Sequence, residues 1–128
     1  MVNNSFVVDS SVLFAFYKER DFHHKKALEI MKSVEESTVH VHPYVIQETT
    51  TLLTYDLGFD VASKFLSDVN ESENMVIPWS VDIKEEIRFF LDLKKKISFT
   101  DTALINLAKN RDAQILTFDK QILSILRN

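Results

Sequence analysis

Four acidic residues stand where apolar segments of this 128-residue chain meet a helix or a loop. Asp9 and Asp119 each end a short apolar run. Asp101 opens one predicted helix, and Glu48 falls in the inward stripe of another. A parallel sheet brings the carboxyl ends of its strands to one edge, where α/β folds place their sites, so we expect the four side chains to converge. Because like charges repel unless a hard divalent cation holds them together, the pattern predicts a metal site.

The segments that must position these acids alternate between short apolar runs and helical periodicity. Four runs are predicted to be strands: Phe6–Val8, Thr38–Val41, Met75–Ile77 and Gln114–Thr117. Strands that alternate with helices predict a parallel sheet covered on both faces. We therefore expect one domain over residues 1–128, an α/β fold built as a three-layer α/β/α sandwich with a central parallel sheet.

Several helix ends and buried faces are also predicted. Pro43 suits the first position of a helix, Gly58 suits the end of that helix, and Thr100 suits the N-cap of the helix that contains Asp101. The predicted inward residues of two helices are Leu52 and Leu53 in one, and Ile83, Ile87, Phe90 and Leu91 in the other.

Composition excludes several classes of function. The chain has no cysteine, so disulfides and thiolate metal sites are ruled out. A single glycine excludes phosphate-cradling glycine-rich loops. The formal net charge of −4 argues against broad electrostatic capture of nucleic acid, although not against a nuclease. No signal-peptide pattern or membrane-length apolar stretch is present, so we expect a soluble cytoplasmic protein with no membrane partner.

Each acid also has a purely structural interpretation. Asp9 could cap a helix, a role that Ser10 or Ser11 could share, and Asp119 could cap the last helix. Asp101 would be favoured by the dipole at its helix N-terminus. Glu48 could pair with a Lys or Arg from elsewhere, because none lies within four residues of it on its own helix. Four such roles at one edge of one sheet explain the pattern less well than a shared site.

Other polar and aromatic residues carry weaker signals. The four histidines are expected to be exposed or to cap helices rather than to bind metal, and Trp79 is expected in the core or at an interface. The lysine run Lys94–Lys96 is typical of a solvated helix end, with contact to RNA phosphates as the alternative for Lys96.

The segments around the four acids resemble those of PIN-domain ribonucleases, most closely the short VapC-like toxins of prokaryotic toxin–antitoxin pairs. The resemblance covers nearly the whole chain. It rests on VVDSSVLFAF, HPYVIQETTTLL, ISFTDTALINLA and ILTFDKQIL, which begin at Val7, His42, Ile97 and Ile115.

The resemblance implies a PIN-like fold and an enzyme that cleaves RNA. It also implies that Mg²⁺ or Mn²⁺ is surrounded by four acids, Asp9, Glu48, Asp101 and Asp119. Our hypothesis makes Asp9 and Asp101 direct ligands of the main ion. Glu48 would bind through water or help to deprotonate the attacking water, and Asp119 would complete the site or hold a second ion. Many relatives carry another acid two residues after the last aspartate, where this chain has Gln121.

Three residues are candidates for supporting roles. Thr117 matches a hydroxyl residue that often precedes the last acid in the family, and it could position a water or a phosphate. Ser10 lies directly after Asp9, and Lys96 lies shortly before Asp101.

The resemblance further implies an antitoxin protein that wraps a hydrophobic groove, here supplied by residues 22–66, and a homodimer. The leading hypothesis is therefore a metal-dependent endoribonuclease that acts as a toxin. The alternatives are a PIN-fold module that binds RNA or protein without cutting, and a PIN nuclease of RNA processing that has no antitoxin.

Overall fold

The computed structural model describes residues 5–127, which form a four-stranded parallel sheet and seven helices. The predicted domain also included residues 1–4 and 128, which lie outside the described residues. The strands are β1 (Ser5–Val8), β2 (Thr38–His40), β3 (Met75–Val76) and β4 (Gln114–Leu116). The helices are α1 (Ser10–Tyr17), α2 (His24–Ser33), α3 (Pro43–Leu57), α4 (Phe59–Glu71), α5 (Ile83–Leu93), α6 (Phe99–Asn110) and α7 (Lys120–Arg127).

Both faces of the sheet are covered by helices. Successive residues of a strand point to opposite faces, and in β1 both Val7 and Val8 are fully buried. In β2, Val39 and His40 are both buried as well. The predicted α/β/α sandwich with a central parallel sheet is therefore confirmed.

The strand order β3-β2-β1-β4 places a topological switch point between β1 and β4. From β1 the chain builds β2 and then β3 on one side, and it returns to add β4 on the other side of β1. The Asp9 amide donates a 2.9 Å hydrogen bond to the carbonyl of Leu116, which joins the carboxyl ends of β1 and β4. In open α/β sheets, ligands bind at such a switch point.

Two of the three predicted helix ends are confirmed, and one is wrong. Pro43 is the first residue of α3, and Gly58 ends that helix with φ +101°, a backbone conformation that favours glycine. The N-cap of α6 is Ser98 rather than Thr100, because the Ser98 hydroxyl accepts the Asp101 amide at 3.0 Å. Thr100 is thus already inside the helix.

The predicted inward face of α5 is wrong. Ile83, Ile87 and Leu91 are 54, 45 and 62% exposed, whereas Glu86 is buried at 4%. Glu86 is accommodated because it accepts hydrogen bonds from His42 Nε2 at 2.7 Å and from Tyr44 Oη at 2.6 Å. Partners from α3 and its N-cap thus satisfy this buried carboxylate and turn the apolar stripe of α5 outward.

Three further predictions about single residues have mixed outcomes. Leu52, predicted to face inward, is 45% exposed, whereas Leu53 is buried. Trp79 is 98% exposed, so it is not a core residue, and its role at an interface stays a prediction. His42 caps α3 as expected of a capping histidine, since its Nδ1 accepts the Tyr44 amide at 3.0 Å, whereas His40 is buried in β2.

Within the described part of the chain, no helix combines the length and the apolar character that crossing a membrane requires.

Candidate functional site

Asp9 lies directly after β1 and is buried. It occupies the N-cap position of α1, but its side chain makes no capping hydrogen bond, so the capping interpretation is wrong for its carboxylate. Instead, Asp9 Oδ2 accepts hydrogen bonds from the hydroxyls of Ser11 and Thr117, both at 2.7 Å. Hydrogen bonds to an ionised acceptor are the stronger kind, so these two hydroxyls hold the carboxylate in place.

Thr117 links Asp9 to Asp119 across the switch point. Its hydroxyl donates to Asp9 and accepts the backbone amide of Asp119 at 2.9 Å. The Asp119 carboxylate in turn accepts the Gln121 amide at 2.8 Å, so the capping interpretation of Asp119 is correct. One carboxylate oxygen of Asp119 thus serves the start of α7.

Glu48 is exposed on α3, so the prediction that it lies in the inward stripe is wrong. The buried residue at this turn is Thr49, one position further round the helix. Among residues 5–127 no ion pair involves Glu48, which also rules out the salt-bridge interpretation. Its carboxylate accepts a short hydrogen bond from the buried hydroxyl of Ser10, which draws Glu48 toward the start of α1.

Asp101 is half-buried in the first turn of α6 and feels the other three acids. Burial, followed by the negative charge of Asp9, raises the pKa of its carboxyl from 3.8 to about 6. The charges of Asp119 and Glu48 raise this pKa further, and a hydrogen bond with Ser98 opposes the shift. The structure therefore brings the four predicted carboxylates into one electrostatic neighbourhood.

A cavity of about 520 Å³ opens beside the acids. Glu48 and Thr100, the residue before Asp101, contribute to its wall. The rest of the wall comes from α3 and the start of α6: Tyr44, Gln47, Thr51, Leu52 and Phe99. A site for a bound molecule thus adjoins the carboxylates.

The donors at this edge suit a hard cation. Carboxylate oxygens are ligands that Mg²⁺ and Mn²⁺ prefer, and after burial the negative charges of Asp9, Asp119 and Glu48 contribute to the raised pKa of Asp101. In the part of the chain that the structure describes, no three His, Cys, Asp or Glu side chains are grouped closely enough to hold one ion as they stand. The four acids thus interact electrostatically, but among the described residues no three of them lie close enough together to form a ligand cluster.

Two neighbouring residues have structural contacts that the sequence did not reveal. Ser11, considered from the sequence only as a capping residue, also accepts the Phe118 amide at 3.0 Å and so ties α1 to the end of β4. The side-chain amide of Gln121, which stands where many relatives carry an acid, donates to the backbone carbonyl of Lys96. The Lys96 side chain is exposed.

The chain matches a known family. The PIN-domain family model matches residues 6–126, nearly the whole chain. The chain therefore belongs to the PIN-domain family, as its motifs predicted.

A solved structure with the same fold is that of VapC20 from Mycobacterium tuberculosis, described as a toxin that cleaves the sarcin–ricin loop. The superposition has a TM-score of 0.80 and covers 93% of each chain, at 21% sequence identity. At this identity the match establishes the shared fold. A search of curated proteins gave no significant match.

Proposed function

We propose that this chain is a metal-dependent endoribonuclease that hydrolyses phosphodiester bonds of RNA. The observation that carries the proposal is the shared electrostatic neighbourhood of Asp9, Glu48, Asp101 and Asp119, reported by the raised pKa of Asp101. A scaffold that only binds gains nothing from placing repelling carboxylates together, whereas a site for a divalent cation requires them. Membership of the PIN-domain family supports the same conclusion.

Asp9 and Asp101 would hold a Mg²⁺ or Mn²⁺ ion directly. When bound, the ion supplies positive charge that neutralises the phosphate and assists the activation of water. Ser11 and Thr117 keep the Asp9 carboxylate in a fixed orientation. Glu48, which is exposed and hydrogen-bonded to Ser10, would accept the proton of the attacking water.

Two further residues would support the reaction. Asp119 would complete the cation site with the carboxylate oxygen that does not cap α7. Lys96, exposed on the segment before α6, would contact an RNA phosphate near the acids.

We also propose that the protein is the toxin of a toxin–antitoxin pair, acts in the cytoplasm and forms a homodimer. Apolar side chains on the outer surface of α3–α5 support protein partners. Those most exposed are Tyr55, Phe59, Ile83 and Leu91. The fold shared with the VapC20 toxin supports the same assignment.

The test is cleavage of a mixed RNA pool by the purified protein with Mn²⁺, Mg²⁺ or EDTA. We expect cutting only with a metal, and a loss of at least about 100-fold in Asp101→Asn, beyond the ~10–100-fold typical of residues that only support metal ligands. Asp112→Asn is the matched control, because Asp112 is exposed and its φ of +51° suits asparagine. Products should carry 5′-phosphate and 3′-hydroxyl ends.

Cutting that persists in EDTA, or 2′,3′-cyclic phosphate ends, would refute the mechanism. The toxin assignment is tested by expression of the protein in a bacterial host without a cognate antitoxin. Growth arrest by the wild-type protein, absent with Asp101→Asn, is the expected result, and equal growth of both strains would contradict it.

A further inference from the structure

The cavity beside Glu48 has a wall that carries one charged side chain, that of Glu48 itself. Among residues 5–127, no Lys or Arg contributes to the lining. A phosphate or an acidic peptide would therefore meet a carboxylate with no compensating cation. The occupant that suits this wall is a neutral group.

One side of the cavity is a fixed aromatic surface. The rings of Tyr44 and Phe99 lie 6.0 Å apart, and each has a further ring behind it, His42 at 4.2 Å from Tyr44 and Phe90 at 5.8 Å from Phe99. The Tyr44 hydroxyl is held by Glu86 at 2.6 Å, on the side of the buried network. Burial and this hydrogen bond raise the pKa of Tyr44 to about 12, so the hydroxyl stays a donor to Glu86 while the ring lines the cavity.

The other side offers hydrogen-bonding groups. Gln47, Thr51 and Thr100 line the cavity, and in the described residues no hydrogen bond engages their side chains. A glutamine amide presents a donor and an acceptor side by side, the pair that matches the edge of a nucleobase. Stacking on an aromatic ring combined with such edge contacts is how proteins recognise unpaired RNA bases.

We propose that this cavity is the subsite for one RNA base, that of a nucleotide flanking the scissile phosphate, stacked on Tyr44 and Phe99 and read at its edge by Gln47. The position follows from the shared wall, because Glu48 belongs to both the cavity and the acid site and Thr100, in the cavity wall, directly precedes Asp101. The inference rests on the proposed ribonuclease function. It adds to that function the site that would determine which base the enzyme prefers beside the cut.

The first experiment measures nucleotide binding in the cavity and does not depend on catalysis. The ¹⁵N-labelled full chain is titrated in EDTA with AMP, CMP, GMP or UMP, and with ribose 5-phosphate as the probe that has no base. We expect the side-chain amide of Gln47 and the backbone amides of Thr51 and Phe99 to shift with at least one nucleotide and not with ribose 5-phosphate. Phe99→Leu should weaken that binding about tenfold, while its spectrum reports whether the fold is kept.

The second experiment reads sequence preference in cleavage. Cut sites in a random RNA pool are sequenced for the wild-type protein, Gln47→Ala and the matched control Gln114→Ala, an exposed glutamine at the start of β4. We expect a base preference at one position beside the cut, which Gln47→Ala reduces about tenfold and Gln114→Ala keeps.

The outcomes separate this inference from the proposed function. Cleavage with the same base preference in Gln47→Ala would overturn the subsite and leave the ribonuclease standing. Absence of cleavage would count against the ribonuclease, and the nucleotide titration would still decide the subsite. Equal shifts with ribose 5-phosphate, or no shifts with any nucleotide, would each overturn the subsite.

Discussion

The surroundings of Asp101 disfavour the ionised form of its carboxyl. Its pKa is raised to about 6, so the native chain holds this proton at pH values where the unfolded chain has released it. This group therefore makes stability fall as the pH rises from about 4 to 6, and the loss is complete above that window. We expect Asp101→Asn, measured in EDTA at pH 8, to be more stable than the wild type by about 1 kcal/mol after solvent screening, or about 3–6 °C in Tm.

The control for this measurement is the same comparison near pH 4, where Asp101 is protonated and the difference should vanish. His40, whose pKa is lowered by burial and then by Arg111, titrates in both proteins and cancels in the difference. A lower Tm for Asp101→Asn at pH 8 would show that Asp101 contributes to folding rather than opposing it.

The sequence placed three of the four acids correctly because their positions follow from local signals. Asp9 and Asp119 follow strands, and Asp101 lies in a first helical turn, and each of these is visible in a window of a few residues. The rotation of α3 about its axis decides whether Glu48 or Thr49 is buried, and that rotation is set by the helices packed against α3. The hydrogen bond between Ser11 and Phe118 could not be predicted for a similar reason, since the two residues are 107 positions apart.

At the scale of elements, the start of α6 determines where Asp101 points. Ser98→Ala removes the hydroxyl that accepts the Asp101 amide, and we expect a loss of about 1 kcal/mol in the free energy of unfolding by urea. Thr100→Ala is the matched control, expected to change stability by less than about 0.5 kcal/mol, because Thr100 makes no capping hydrogen bond. A larger loss of unfolding free energy in Thr100→Ala than in Ser98→Ala would show that Thr100, and not Ser98, is the N-cap of α6.

The orientation of helix α5 could not be predicted from its hydrophobic pattern. Its periodicity predicts an apolar stripe but not the side that the stripe faces. The sequence gives no sign that Glu86 is the buried residue, because its partners His42 and Tyr44 lie 44 and 42 residues away. The existence and type of the element could thus be predicted, and its orientation could not.

At the scale of the whole molecule, the proposed cation site would draw on acids from four segments, and it would make stability depend on divalent cations. A ligand that binds the native state alone stabilises it, by about 2.7 kcal/mol at a hundredfold excess over its Kd. We expect Mn²⁺ to raise the Tm of the wild type at pH 8, to raise that of Asp112→Asn equally, and to raise that of Asp101→Asn much less. Equal shifts in all three proteins would mean that the ion binds elsewhere.

Alternation of strands and helices was sufficient to predict the class of fold. The side of β1 on which β4 lies was not predicted, because hydrophobic patterns carry no information about strand order. That order creates the switch point, and the link from Asp9 through the Thr117 hydroxyl to the Asp119 amide became visible only in the structure.

The pairing of β4 with β1 also determines when the acids come together during synthesis. The first strand leaves the ribosome well before its neighbour at residues 114–116 and the acid at 119. A nascent chain that has not reached these residues lacks one side of the switch point. The proposed ribonuclease therefore gains its full set of acids only after residue 119 has been made, and shorter nascent chains should leave RNA uncut.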